Sequence, residues 1–342
     1  MTTRPTQPAP LALLVGVLAA ILVLSGCGGS ATGNEGAISG DGDVDLSKVT
    51  LIVGDQKGGS KALLTAAGEL DDVPYEIQWQ EFTSGPPLLE AMNAGSIHVG
   101  GVGNTPPLFA AAADGQFKVV QGATYGGAGD AIVVPKDSPL KSVADLKGKK
   151  VAVAEGSSAN YNLLAQLQDA GLKYSDIEVE NLQPADALAA FSSGHLDAWA
   201  IWEPFTSQAE VDADARVLAT GEGLVNGYTF QVASDAALDD PATTAALKDY
   251  LSRIARAQVW SDSHKPEWAK VWSEETGLSE EITSAALDKR RIALVPIDDT
   301  VVKSEQEMAD AFADNGLVPG KFDVADYFSD EFNSVTTATT GQ

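Results

Sequence analysis

An internal duplication constrains this chain more than any other feature. Residues 51–64 (LIVGDQKGGSKALL) and 151–164 (VAVAEGSSANYNLL) share one order: apolar strand, small-residue turn, helix. Alternating stretches follow both copies, YEIQWQ at 75–80 and IEVENL at 177–182. Then LLEAMNAGSIHVGGVG from Leu88 parallels ALAAFSSGHLDAWAIW from Ala187. Each reads as a short helix, a stop at Gly95 or Gly194, and a strand opening at Ile97 or Leu196. The chain thus carries two half-copies of a βαβαβ unit, 100 residues apart. That spacing is too long for a solenoid repeat and suits two similar lobes. The expected class is α/β, and glycine-rich turns at strand ends put the ligand in the crevice between lobes.

The turns themselves point to an anion. Gly54, Gly58 and Gly59 supply permissive backbone, Ser60 is a helix cap, and the amides of a helix N-terminus attract negative charge. This is not a phosphate-binding P-loop, because Lys57 precedes the glycines and no Gly-Lys-Ser/Thr follows. Ser157 and Ser158 repeat the arrangement in the second copy. Asn104 and Thr105 offer a third, ahead of Pro106 and Pro107, where proline fits a first helical turn. Taken singly, each is also an ordinary helix start. Together they predict a clamp of uncharged donors, with Lys57 left in solvent, since burying a basic residue costs several kcal/mol.

Residues 1–10 are polar, with one charge, Arg4, and residues 11–24 form a run of 14 apolar or small residues. A membrane span needs roughly 20, so a secretory signal over 1–26 is expected. It ends Leu24-Ser25-Gly26-Cys27, and Cys27 is the sole cysteine. This resembles a lipobox, which implies a diacylglycerol on the sulfur and cleavage before Cys27. A single cysteine also excludes an internal disulfide. Residues 27–47 read as a flexible Gly-, Ser- and Asp-rich tether. Without Arg4, 21 of the 22 basic side chains face 48 acidic ones, a net charge of −27, which argues against nucleic-acid binding. Residues 48–124 and 234–335 are expected to form one lobe and 125–233 the other, with hinge crossings near 125–130 and 228–233.

VGDQKGGSKALL, AGSIHVGGVGNTPPLFAAA, IVVPKDSPLKSVADLKGKKVAVAEGSSANYNLL, GLKYSDIEVENLQPADALAAF and GHLDAWAIWEPF together resemble the substrate-binding proteins of ABC importers for aliphatic sulfonates, a group with taurine- and nitrate-binding relatives. The resemblance covers about residues 49–320. It implies a two-lobed periplasmic-binding-protein fold of the second type, ligand in the inter-lobe cleft, and delivery of a small organic anion to membrane permease subunits by a monomer. No catalytic residue, metal or cofactor is implied.

Carried onto this chain, the resemblance places Gln56, Gly58, Gly59 and Ser60 on the first-lobe side of the ligand, with Asn104 and Thr105. Ser157, Ser158, Ala159 and Tyr161 face it from the second lobe, and Asp186, Trp199, Trp202 and Glu203 form the wall against its organic part. Asn104 stands where an acidic residue is common, Asn160 where histidine is, and Glu203-Pro204-Phe205 where Asp-Pro-Tyr is. Other readings stay open: Asp186 as a helix cap, Trp199 and Trp202 as core aromatics. Taurine would call for a carboxylate near its ammonium, from Asp186 or Glu203. The rival from another class is an enzyme on a related fold, such as a pyrimidine synthase. Against it, His98, His195 and His264 are scattered, no Gly-x-Ser-x-Gly occurs, and the chain carries an export signal.

Overall fold

The computed structural model describes residues 34–340, so the leader and Cys27 lie outside the described residues. The first half-copy supplies β1 (Thr50–Gln56), α1 (Ser60–Ala66), β2 (Glu76–Phe82), α2 (Gly85–Asn93), β3 (Val99–Gly103), α3 (Thr105–Ala111) and β4 (Phe117–Thr124). The second supplies β5 (Ala131–Pro135), β6 (Lys150–Val153), α4 (Ser158–Asp169), β7 (Glu178–Asn181), α5 (Pro184–Ser192), β8 (Ala198–Ile201), α6 (Phe205–Asp212) and β9 (Ala215–Thr220). The chain then returns through β10 (Tyr228–Ser234), α7 (Asp235–Asp239), α8 (Pro241–Ser263), α9 (Lys265–Thr276), α10 (Glu280–Asp288), β11 (Ala293–Val295), α11 (Asp299–Asp314) and α12 (Asn333–Thr340).

Two sheets result, ordered β2-β1-β3-β10-β4-β11 and β7-β6-β8-β5-β9. The duplication is visible in the pairing. β1 lies parallel between β2 and β3, as β6 lies between β7 and β8. Each set of three then accepts one antiparallel strand, β10 beside β3 and β5 beside β8. The central strands are apolar because both faces are covered: five consecutive residues of β1 are buried. Gly95 and Gly194 stop their helices with the same left-handed backbone, φ 73° and 75°, where a side chain would be strained.

Two expectations are corrected here. Residues 228–233, read as a crossing, are β10, a strand inside the six-stranded sheet. It pairs with β3 on one edge and β4 on the other. The second crossing therefore precedes it, at 221–227. It runs against the first crossing glycine to glycine: a Cβ at Gly127 would strike the Gly221 carbonyl, and one at Gly227 the backbone of Gly126. The described part of the tether is also not free. Asn34 exchanges hydrogen bonds with Thr50 and donates to Thr243 Oγ1 at 2.8 Å, and Ala37 is buried in the first-lobe core. A segment poor in large apolar residues is held by polar contacts that composition does not reveal.

The lobes meet on one side through an apolar contact: Leu164 and Tyr161 of α4 pack with Phe312 of α11 and Phe109 of α3. Elsewhere the contact is polar. Ser84 Oγ and Thr83 Oγ1, after β2, donate to Gln183 Oε1, before α5, at 2.8 and 3.1 Å.

Candidate functional site

Between the lobes lies a cavity of about 180 Å³. It is reached by the C-terminal ends of β1, β3 and β8 and the N-terminus of α4, because parallel strands point their loops the same way. Both turns of the duplication reach it: Gln56, Gly58, Gly59 and Ser60 from the first copy, Ser157 and Ser158 from the second. Trp202 and Glu203 line it too. Gly58 has φ 70° and sits against the Trp272 indole, which leaves no room for a Cβ.

The remaining expected residues lie elsewhere. Asn104 and Thr105 are buried behind β3. Asn104 Nδ2 donates to Asn226 Oδ1 at 2.7 Å, and Thr105 Oγ1 donates to Asn104 Oδ1. Ala159 is in the second-lobe core. Tyr161 packs on Phe312, ring centroids 5.8 Å apart. Trp199 is fully buried in β8 against Phe191, because its place in the middle of the strand points it into the core. Asp186 is exposed on α5 and outside the cavity. The three-turn clamp is thus reduced to two turns.

One of those two N-termini is already taken. Asp55, at the end of β1, accepts from the amides of Ser60 at 2.7 Å and Lys61 at 3.0 Å. Its carboxylate neutralises the start of α1 from within the chain. Burial pushes its pKa up to about 6 although those amides pull it down. On the other lobe, Ser158 Oγ donates to Asp130 Oδ1 at 2.7 Å, and Ser157 Oγ donates to the Ala154 carbonyl while accepting from Asn160 N. Asp130 is likewise raised to about 6, chiefly by burial, against the Ser158 hydrogen bond and the Arg290 charge. Glu203 is fully paired: Lys289 Nζ lies 2.9 Å from Oε1, and Ser207 donates to it from both N and Oγ.

Arg290, unforeseen in the sequence, supplies a half-buried positive charge to this cavity. It follows α10, and its guanidinium lies over the rings of Tyr125 and Trp272, 4.8 Å from each centroid. Nη2 donates to the Glu203 carbonyl at 3.0 Å. Stacking between two rings orders a guanidinium at modest desolvation cost. Trp268, Trp272, Gln231, Gln258 and Ser261 complete the first-lobe wall. Trp272 Nε1, Gln231 Oε1 and Gln258 Oε1 are buried without a hydrogen-bond partner. Such groups are normally satisfied, so this wall is prepared for a polar guest. Only position in space gathers these residues; no local motif marks Arg290 or Trp272.

Residues 71–277 match the family described as ABC transporter, phosphonate, periplasmic substrate-binding protein. The chain belongs to the periplasmic substrate-binding proteins of ABC transporters. A relative from Escherichia coli (strain K12), named for binding aliphatic sulfonates, is 36% identical over 284 residues, 82% of this chain and 88% of the relative. One of the same name from Bacillus subtilis (strain 168) is 30% identical over 324 residues, 93% and 95%. Among solved structures, the alkanesulfonate-binding protein SsuA of Xanthomonas axonopodis pv. citri bound to MOPS is 35% identical with a TM-score of 0.76, covering 82% of this chain and 98% of that one. The two-sheet topology is that of the type II periplasmic-binding fold, and the protein is an extracytoplasmic component of an importer.

Proposed function

We propose that this substrate-binding protein captures an organosulfonate in the inter-lobe cleft and delivers it, chemically unchanged, to the permease of an ABC importer. The carrying observation is Arg290, a guanidinium stacked in the cleft between Tyr125 and Trp272. A guanidinium pairs two N–H groups with two oxygens of a tetrahedral anion. This replaces the uncharged clamp expected from the turns. Sulfonate is favoured over phosphonate by Asp55 and Asp130, which line the same cavity and disfavour a second negative charge on the guest. Calorimetric titration with alkanesulfonates decides it. Arg290→Ala is expected to weaken binding by roughly a hundredfold or more, the usual cost of removing one partner of a buried charge pair. Lys57→Ala, at an exposed position, is expected to change it less than about threefold. Normal sulfonate binding by Arg290→Ala would overturn the assignment. Tighter binding of a phosphonate than of the matching sulfonate would overturn the ligand class.

The site residues follow as Gln56, Gly58, Gly59, Ser60, Ser157, Ser158, Trp202 and Glu203, joined by Arg290, Trp272 and Asp130. The reading further includes a monomer held at the membrane by lipid on Cys27, supported by Leu24-Ser25-Gly26-Cys27 at the end of the apolar run. Mass spectrometry of the mature N-terminus tests the lipid: cleavage elsewhere, or a bare Cys27, would exclude it.

A further inference from the structure

Residues 289–291, Lys-Arg-Arg, form the sole run of three basic side chains in a chain with 48 acidic ones. They follow α10, on the first lobe, and each bonds beyond it. Lys289 Nζ lies 2.9 Å from Glu203 Oε1 and 2.7 Å from Glu210 Oε2, both of the second lobe. It also donates to Ser207 Oγ at 3.1 Å. Arg290 Nη2 donates to the Glu203 carbonyl, so one residue of the second lobe holds both neighbours. The Arg291 amide donates at 3.2 Å to the carbonyl of Tyr125, in the first crossing. Behind the run, Lys265 Nζ, at the start of α9, donates to the carbonyls of Leu287 and Arg290 at 2.7 and 3.0 Å. That ties the segment back to its own lobe. Lys289 stands outside the cavity lining, whereas Arg290 belongs to it. The Glu203 side chain is only 1% exposed. A buried carboxylate stripped of its cation is strongly destabilising, so the closed lobes depend on Lys289.

Resting on the organosulfonate reading above, we propose that Lys289 is a positioning residue for the ligand: by clasping Glu203 and Glu210 across the cleft it seats Arg290 on the anion and holds the loaded protein shut. The clasp forms only when the lobes meet, and so does the full set of ligand contacts. Each therefore favours the other, although Lys289 never touches the guest. Its effect belongs to release rather than capture, because an encounter with the open cleft precedes the clasp.

Release of radiolabelled ethanesulfonate into excess unlabelled ligand gives the dissociation rate, and calorimetry gives the affinity; together they yield the association rate. Lys289→Met keeps the apolar stem and removes the charge. It is expected to speed release by about tenfold or more and to leave association within about threefold, since truncating one partner of a buried charge pair acts on dissociation. Lys289→Arg, which can still bridge both carboxylates, should release within about threefold of the unaltered rate. The double variant Lys289→Met/Glu203→Gln buries no unpaired charge and should fall between Lys289→Met and the unaltered protein. An unchanged release rate in Lys289→Met overturns the proposal. So does slower association as the main effect, which would make Lys289 a distant attractor of anions. Fewer binding sites per molecule at an unchanged rate would mean damage to the fold, and would overturn it equally. If Lys289→Met does not fold, the double variant decides: release as slow as in the unaltered protein rejects the clasp. If ethanesulfonate does not bind the unaltered protein while nitrate or a phosphonate does, the organosulfonate reading has failed, and the same variants test the clasp with the anion that binds.

Discussion

Glu305 shows how strongly a single buried carboxylate conditions this protein. It is fully buried on α11, accepts from Asn226 Nδ2 at 2.9 Å through Oε1, and leaves Oε2 without a partner. Burial raises its pKa well above the ordinary value. An acid whose folded pKa lies above its unfolded one favours the fold at low pH and loses that contribution as pH rises from the unfolded value. Glu305→Gln keeps an oxygen for Asn226 and cannot ionise. It is therefore expected to stabilise the protein at pH 7.5 and to do little at pH 4.5. Thermal unfolding of both proteins at the two pH values checks this; equal midpoints throughout would show that Glu305 is not a buried acid of the fold.

At the level of elements, what the sequence disclosed depended on range. Strand, turn and helix at 51–64 and 151–164 were legible because apolar runs, glycines and the capping Ser157 act on neighbours a few residues away; in the first copy the cap position is Gly59, and Asp55 rather than Ser60 accepts from the helix amides. The same locality explains the failures. Asn104 and Thr105 do begin α3, as their types predict, but Asn226 from more than a hundred residues later seals them off. Asp186 lies in the first turn of α5 while Gln183 is its N-cap, and the rotation of the helix leaves the carboxylate outside. Trp199 and Trp202 were indistinguishable by type; only the end of β8 at Ile201 separates the core indole from the cleft one. Arg290 comes from a helical stretch whose sequence reads as amphipathic packing, so its role became visible only once α10 was seen to bring it beside Trp272.

On the scale of the whole molecule, the lobes are joined in three ways, one of them ionic: Lys289 pairs with Glu203 and Glu210 of the other lobe. The apolar contact of α4 with α3 and α11 survives exposure to water poorly, whereas the bonds of Thr83 and Ser84 to Gln183 exchange readily with solvent. The crossings at 125–130 and 221–227 are the only backbone links between the sheets among the described residues, and they touch glycine against glycine. We expect the unliganded protein in solution to open about these crossings and a ligand that touches both lobes to close it. Small-angle scattering should then show the radius of gyration falling on addition of a saturating sulfonate; an unchanged radius would tell against a hinge there.

The aromatic wall has a practical corollary. Three of the six tryptophans, Trp202, Trp268 and Trp272, stand at the cavity surface, and one of them lies beneath the Arg290 guanidinium. An indole's emission responds to the charge and polarity around it. When a sulfonate draws on that guanidinium and displaces solvent from those rings, occupancy becomes an optical signal native to the unlabelled chain.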